Sequence, residues 1–541
     1  MNNNRALFLA SFFTLIAAGV GFSVRGVILD DWSDQFGFTK ATLGKINGGG
    51  LVGFGITIIA CSLIADRVGY KALMVLAFLL HVSSAIVTLA ATPIYEAMGK
   101  SSAAQDAAFQ CLYWGAFLFS LGNGVCESVI NPLVATLYPT QKTHYLNILH
   151  AGWPGGLILG GILSLLFCSN QAYVRHVRWE IAVAFFLPFV AYYGYVILKE
   201  TFPISEAKAA GVSYGTMLAE FASPILILLF LLHACVGYVE LGTDSWIQNI
   251  MTASIGNLAT WLFIWTSGLM FALRFFAGPI VEKINPIGLL FISAVLGCAG
   301  LVWLGTSEGL AIMAAGTVYG IGKTFYWPTM LGVVGERYPK GGALTMGTIG
   351  GIGMLSAGLL GGPGIGYTQD YFAAEKLEAQ SPKLYDEYVS KAPFSESLNK
   401  FVDENQKVGG EWPKEFGNVV LKPKTEGFML GTFKPVAGLD GTKVGDLGKK
   451  DKKQKDAEAA NKPVADSDKV TEDERIVLDA NMYSGRMALK TTAYVPAAMA
   501  IGYLVLALYF RSKGGYQVEV LHGAKPVGEH YTGGTEGPGE G

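Results

Sequence analysis

From Gly122 to Gly161 the chain reads GNGVCESVINPLVATLYPTQKTHYLNILHAGWPGGLILGG. An acid, Glu127, stands in an apolar run rich in small residues, five positions before Pro132. The run breaks into a short polar turn and resumes as a second apolar run, opened by Asn147 and carrying His150 and Trp153. An ionisable group inside a membrane-length helix costs about 2.5–3.5 kcal/mol on insertion scales, so it needs a partner, a proton or a polar cavity. Glu127 is therefore the first candidate for function, the alternative being an acid paired only to hold two helices together.

The rest of the chain agrees with a membrane setting. Its 541 residues are 51% hydrophobic and 15% charged, with a formal charge of −2. That composition describes a polytopic membrane protein, and no basic tract argues for nucleic acid. The 6 cysteines lie in or beside apolar runs without a CxxC or Cys/His cluster, so neither a metal site, a cofactor nor a disulfide framework is expected. The glycine runs at 48–55 and 347–362 lack the Gly-Lys-Ser/Thr ending of a phosphate loop, and we read them as sites of close helix packing. No nucleophile, base and acid set suggests an enzyme.

Apolar runs of membrane-crossing length begin near residues 6, 44, 71, 109, 146, 179, 224, 258, 286, 309, 341 and 488. In lipid the backbone must satisfy itself, so these predict an all-α membrane protein of twelve transmembrane helices, the first uncleaved. Basic residues such as Arg67, Lys71, Lys142, Lys199, Lys283 and Arg337 fall in alternate loops, which predicts that both termini are cytoplasmic, in a plasma (bacterial inner) membrane. The expected organisation is a six-helix half at 1–200, a cytoplasmic linker at 201–223 and helices 7–11 at 224–370. A hydrophilic, flexible extracytoplasmic insertion at 371–485 follows, then helix 12 at 486–511 and a disordered cytoplasmic tail at 512–541.

The halves echo one another. Asp66/Arg67 and Glu282/Lys283 place an acid–base pair after spans two and eight, where they could gate. Glu127 precedes Pro132 by five residues as Lys323 precedes Pro328, and both segments run on to a Tyr-Pro. Repeated halves about a midplane site are the design of alternating-access transporters. The twelve spans and the motif after span two resemble the major facilitator superfamily. More narrowly, ESVINPLVATLYPTQKTHYLN and YWPTMLGVVGERYPKGGALTMGTIGG look like stretches of the fucose/proton symporter family. The resemblance implies a role for Glu127 in proton and sugar binding. The chain departs from that family at Arg25 in span one, at His150 and Trp153 in span five, and at Lys323.

The candidate proton-coupling residues are Glu127, Arg25, Glu240 and Asp244, with Arg25 expected to pair with Glu127 and Lys323 with one of the span-seven acids. The candidate substrate residues are His150, Trp153, Asn131, Lys323, Tyr326 and Trp327. We expect His81 to be core and Arg274 to be structural, at the cytoplasmic end of span eight. The leading function is proton-coupled symport of a sugar, sugar derivative or similar polar small molecule by a monomer in the bilayer. The alternatives are an organic-anion (for example sugar-acid) transporter using Arg25 and Lys323, and a non-transporting sensor or assembly protein that binds through 371–485.

Overall fold

A computed structural model describes residues 3–38, 40–168, 174–175, 177–256, 258–393, 421–423, 426–429 and 432–521. The apolar runs fold into helices. They are α1 (Asn3–Val27), α2 (Lys40–Val68), α3 (Tyr70–Leu89), α4 (Ser102–Leu137), α5 (Lys142–His150), α6 (Gly152–Phe167) and α7 (Leu187–Lys199). After a linker follow α8 (Pro224–Gly237), α9 (Thr243–Ile255), α10 (Leu258–Arg274), α11 (Ala277–Leu304), α12 (Ala311–Lys323), α13 (Tyr326–Arg337), α14 (Gly342–Ser356) and α15 (Gly362–Gln380). The chain closes with α16 (Gly441–Ala459), α17 (Glu472–Thr492) and α18 (Tyr494–Ser512). Among the described residues, 9 helical segments are long and apolar enough to cross a membrane, and Leu258–Arg274 is a shorter apolar helix.

The packing repeats. In the first part, α1 packs on α6 and α7, while α3 packs on α4 and α7 and α2 on α4. In the second, α8 packs on α14 and α18, while α11 packs on α12 and α18 and α10 on α12. Exchanging α1, α2, α3, α4, α6 and α7 for α8, α10, α11, α12, α14 and α18 carries one set onto the other. The contacts between the parts obey the same exchange, α2 meeting α14 as α10 meets α6.

Several helices are interrupted. A π-helical turn at Tyr238–Gly242 joins α8 to α9, and another at Ala357–Gly361 joins α14 to α15. The two turns touch at glycines: a Cβ on Gly242 would come within 2.8 Å of the Gly361 Cα, so a side chain there would force them apart. Such turns widen the helix and re-aim its side chains, here that of Glu240. Two-residue breaks also separate α10 from α11 and α12 from α13.

Two sequence expectations need correction. The 371–485 segment is not simply flexible where it is described. It carries α16, the start of α17 and two short antiparallel ribbons, Lys391–Pro393 with Leu421–Pro423 and Glu426–Phe428 with Phe433–Val436. Leu377, Leu384, Leu447, Val477 and Ala480 give it a small core. Lys450 bonds Glu474 at 2.7 Å, and Thr471 and Glu474 form a capping box that starts α17 well before residue 486. The tail is likewise ordered as far as Leu521, because its polar groups find partners on the bundle; residues 522–541 lie outside the described set. Both ends of the described residues gather by the linker, where Asn3 donates to the Thr201 carbonyl and the Leu521 amide to Glu206. We call this end the terminal face.

Candidate functional site

A cavity of about 1150 Å³ lies between the two parts. Its walls come from α1, α2, α4 and α6 on one side and α9, α10 and α15 on the other, and Phe428 and Val436 of the second ribbon line it away from the terminal face. Of the residues singled out by sequence, Arg25, Trp153 and Asp244 face it, and Trp153 stands 5.6 Å from the Phe22 ring. Arg25 is 6% exposed. Its guanidinium lies 3.9 Å over the Phe119 ring, and its only hydrogen bond among the described residues runs from Nη1 to the Gly21 carbonyl at 3.2 Å. Nε and Nη2 are buried and have no partner among the described residues. A buried donor left unsatisfied costs about 1–3 kcal/mol, more when charged, so a turn of the side chain that met an acceptor in the cavity would relieve that cost.

The expected pairing of Arg25 with Glu127 is not formed. Phe119, Asn123 and Glu127 share one face of α4, and eight residues at about 1.5 Å each set Glu127 about 12 Å further along the helix than the ring that carries Arg25. Glu127 instead lies beyond the cavity floor, 8% exposed. Asn131 Nδ2 donates to its Oε2 at 2.7 Å, and His150 Nε2 donates to Asn131 Oδ1 at 2.9 Å. Asn131 and His150 thus form a hydrogen-bonded chain with the acid and do not line the cavity. Among the described residues Glu127 forms no ion pair. One turn nearer the cavity, Asn123 accepts from His81 Nε2 at 3.0 Å, and His81 Nδ1 accepts from the Tyr193 hydroxyl at 2.6 Å, a fully satisfied buried histidine.

Arg274, expected to be structural, has partners that no local sequence pattern reports. It ends α10 and is buried within the bundle, 1% exposed. Nε donates to the Thr324 carbonyl at 2.8 Å and Nη1 to the His150 carbonyl at 2.6 Å. Those carbonyls lie at the α12/α13 and α5/α6 breaks, where an oxygen freed from its helix needs a donor when no water is at hand. Nη2 meets Glu240 Oε1 at 3.1 Å. One guanidinium therefore ties three interruptions and a carboxylate together across both parts. The signal in the sequence was the arginine within an apolar run that continues through FFAGPIV.

Lys323, at the C-terminal end of α12, pairs with Asp244. That pair fulfils the expected match of a span-seven acid, and the lysine is screened from the cavity that Asp244 lines. Tyr326 and Trp327 point elsewhere. The Tyr326 hydroxyl donates to the Ser293 carbonyl at 3.0 Å, and Trp327 packs 4.6 Å from the His233 ring.

The terminal face is sealed. Lys142 bonds Glu206 at 2.8 Å and the Gly335 carbonyl at 3.0 Å, its side chain 1% exposed. The Thr143 amide donates to Glu336 at 3.0 Å, and Asn147 Nδ2 donates to Thr329 at 3.2 Å. Asp66 accepts from the Ala343 amide at 3.3 Å, whereas Arg67 stacks 4.1 Å over Tyr214, so this acid and base do not pair with each other. Glu282 and Lys283 are both exposed. The tail adds to the seal. Tyr516 donates to Glu336 at 2.7 Å, and Arg337 pairs with Glu519 at 2.8 Å.

A helical membrane bundle of two similarly packed parts, enclosing a mostly apolar cavity shut at one end, has the architecture of a membrane transporter. The chain belongs to the Major Facilitator Superfamily, whose family model matches residues 10–363. Among solved structures, the fucose/proton symporter FucP in its outward conformation is 19% identical with a TM-score of 0.52, over 68% of this chain and 92% of that one. The proton/xylose symporter XylE bound to a bromodeoxyglucose is 13% identical with a TM-score of 0.58, over 69% and 90%. A bacterial homologue of the human lysosomal transporter Spinster is 15% identical with a TM-score of 0.55, over 94% and 97%. At these identities the likeness is one of fold. No curated protein matches the sequence.

Proposed function

We propose that the protein is a secondary active transporter that carries a sugar, sugar derivative or similarly polar small molecule together with protons, by alternating access. The observation that carries this reading is the asymmetry of the bundle. The cavity reaches toward the 371–485 segment, while the terminal face is locked by Lys142, Glu206 and Glu336 between the two parts. This is the arrangement of an outward-open carrier if both termini are cytoplasmic, as the basic loops argue. Twelve spans follow if α2, α10 with the start of α11, and the α12–α13 pair also cross the membrane, which the repeated packing supports. In that frame 371–485 is extracytoplasmic, the bilayer is the plasma (bacterial inner) membrane, and one chain holds the whole pathway.

Glu127 and the Arg274–Glu240 pair are the proton-coupling groups, joined through Asn131, His150 and the His150 carbonyl. Asp66, which reaches the start of α14, gates the terminal side. The test is uptake by the purified protein in proteoliposomes with an internal pH dye. Acidification that rises with substrate entry is expected, and substrate entry without proton flux refutes the coupling.

A specific observation favours the second reading, an acidic substrate. Arg25 borders the cavity with Nε and Nη2 buried on Phe119 and unpartnered among the described residues, so a turn of its side chain into the cavity would offer a carboxylate a two-donor fork. Lys323 does not share that role here, because Asp244 neutralises it. Arg25→Ala should weaken competition by sugar acids about ten- to a hundredfold, as expected for loss of a charged hydrogen bond of about 1.5–3 kcal/mol, and leave neutral sugars nearly unchanged. Equal loss for both classes would rule out carboxylate recognition by this arginine.

A further inference from the structure

The cavity is larger than a single sugar ring requires. Pockets for drug-sized ligands are about 300–1,000 Å³, and this one is about 1150 Å³. Its outer end is built partly by the 371–485 segment. Phe428 and Val436 of the second ribbon line it together with Tyr367 and Trp246. These rings are held. Tyr367 stacks on Phe428 with centroids 5.8 Å apart and planes at 23°, and it touches Phe433 at 5.8 Å. The Tyr367 hydroxyl donates to the Lys434 carbonyl at 2.8 Å, pinning the ribbon to α15. The Trp246 indole donates to the Gly362 carbonyl at 2.8 Å, which fixes its ring on the same wall.

We propose that Tyr367, Trp246 and Phe428 form an outer subsite that holds a second ring of an elongated substrate whose acidic first ring is read by Arg25. The substrate class is a carboxylated disaccharide, or short oligosaccharide, rather than a single sugar. Immobilised aromatic faces pair with the apolar faces of sugar rings, and Trp and Tyr do so while their polar atoms are already satisfied. The cavity supplies a charged end and an aromatic end, so length and charge are selected by different residues. The 371–485 segment is then part of the substrate pathway and not a passive insertion. This inference rests on the acidic-substrate reading above.

Binding to the full-length purified protein, by calorimetry with a one-ring uronic acid and a two-ring uronic acid, tests it. The two-ring acid should bind about tenfold tighter. Phe428→Ala should bring the two-ring affinity down to that of the one-ring acid, while Phe428→Tyr should retain the advantage. Tyr367→Ala, on the bundle side of the stack, should act like Phe428→Ala and serves if that variant folds poorly. Equal binding of both lengths by the wild type, or an advantage that survives both alanine variants, overturns the subsite alone. Absence of binding for either acid overturns the acidic-substrate reading and the subsite with it.

Discussion

Glu127→Gln is expected to abolish concentrative uptake in proteoliposomes while leaving counterflow exchange at near wild-type rates. Glutamine keeps an oxygen to accept from Asn131 Nδ2, so the 2.7 Å bond and the link to His150 survive. It cannot give up or take a proton. Because Glu127 forms no ion pair among the described residues, the substitution strands no buried cation, and a folded carrier should result. A membrane potential of 100 mV is worth about 2.3 kcal/mol for one proton, which corresponds to about forty-fold accumulation. That accumulation should fall to unity in the variant. The contrast is Glu240→Gln, which would leave Arg274 buried with only carbonyl partners. Removing one partner of a buried pair costs about 3–5 kcal/mol, so loss of folded protein is expected there. Substrate accumulation that persists in Glu127→Gln would remove this acid from the coupling mechanism.

The two acids also show what a linear reading can reach. The helical fold and Glu127 were legible because a charge inside an apolar run is costly whatever surrounds it. The pairing of Lys323 with a span-seven acid followed from charge balance alone. Arg274 was not legible. Its apolar run continues past it, but the two-residue break that leaves it inside the bundle follows from carbonyls on other helices, which no local pattern reports. The partner of Arg25 was missed for a similar reason. A cation resting on an aromatic face requires Phe119 of α4 to lie against α1, and hydropathy cannot supply that placement. The 371–485 segment misled by composition. Its charges are abundant, yet five apolar residues spread over a hundred positions suffice for a small core. The tail looked disordered because Tyr516 and Glu519 find partners only when Glu336 and Arg337 are brought beside them.

The lock on the terminal face carries the other large expected effect. Lys142→Ala should shift the protein from the state with this face closed toward the state with it open. Lys142 and Glu206 have side chains 1% and 9% exposed, so removal of the ammonium leaves a nearly buried carboxylate held by little more than the Leu521 amide. Uncompensated burial of that kind costs about 3–5 kcal/mol, while opening the face returns Glu206 to water. The ratio of open to closed should therefore rise by about two to four powers of ten. Spin labels at the exposed Gln141 and Lys340, on opposite parts of the bundle, would report the change as a longer distance in a cysteine-replaced background. Replacing both partners, Lys142→Met with Glu206→Leu, should restore much of the closed population, since apolar groups of similar volume substitute for a buried ion pair at little cost. A single variant that keeps the short distance would mean that Glu336, Asn147 and the tail close the face without the ion pair. A double variant as open as the single would mean that the charges act through their hydrogen bonds to Gly335 and Leu521 rather than on each other.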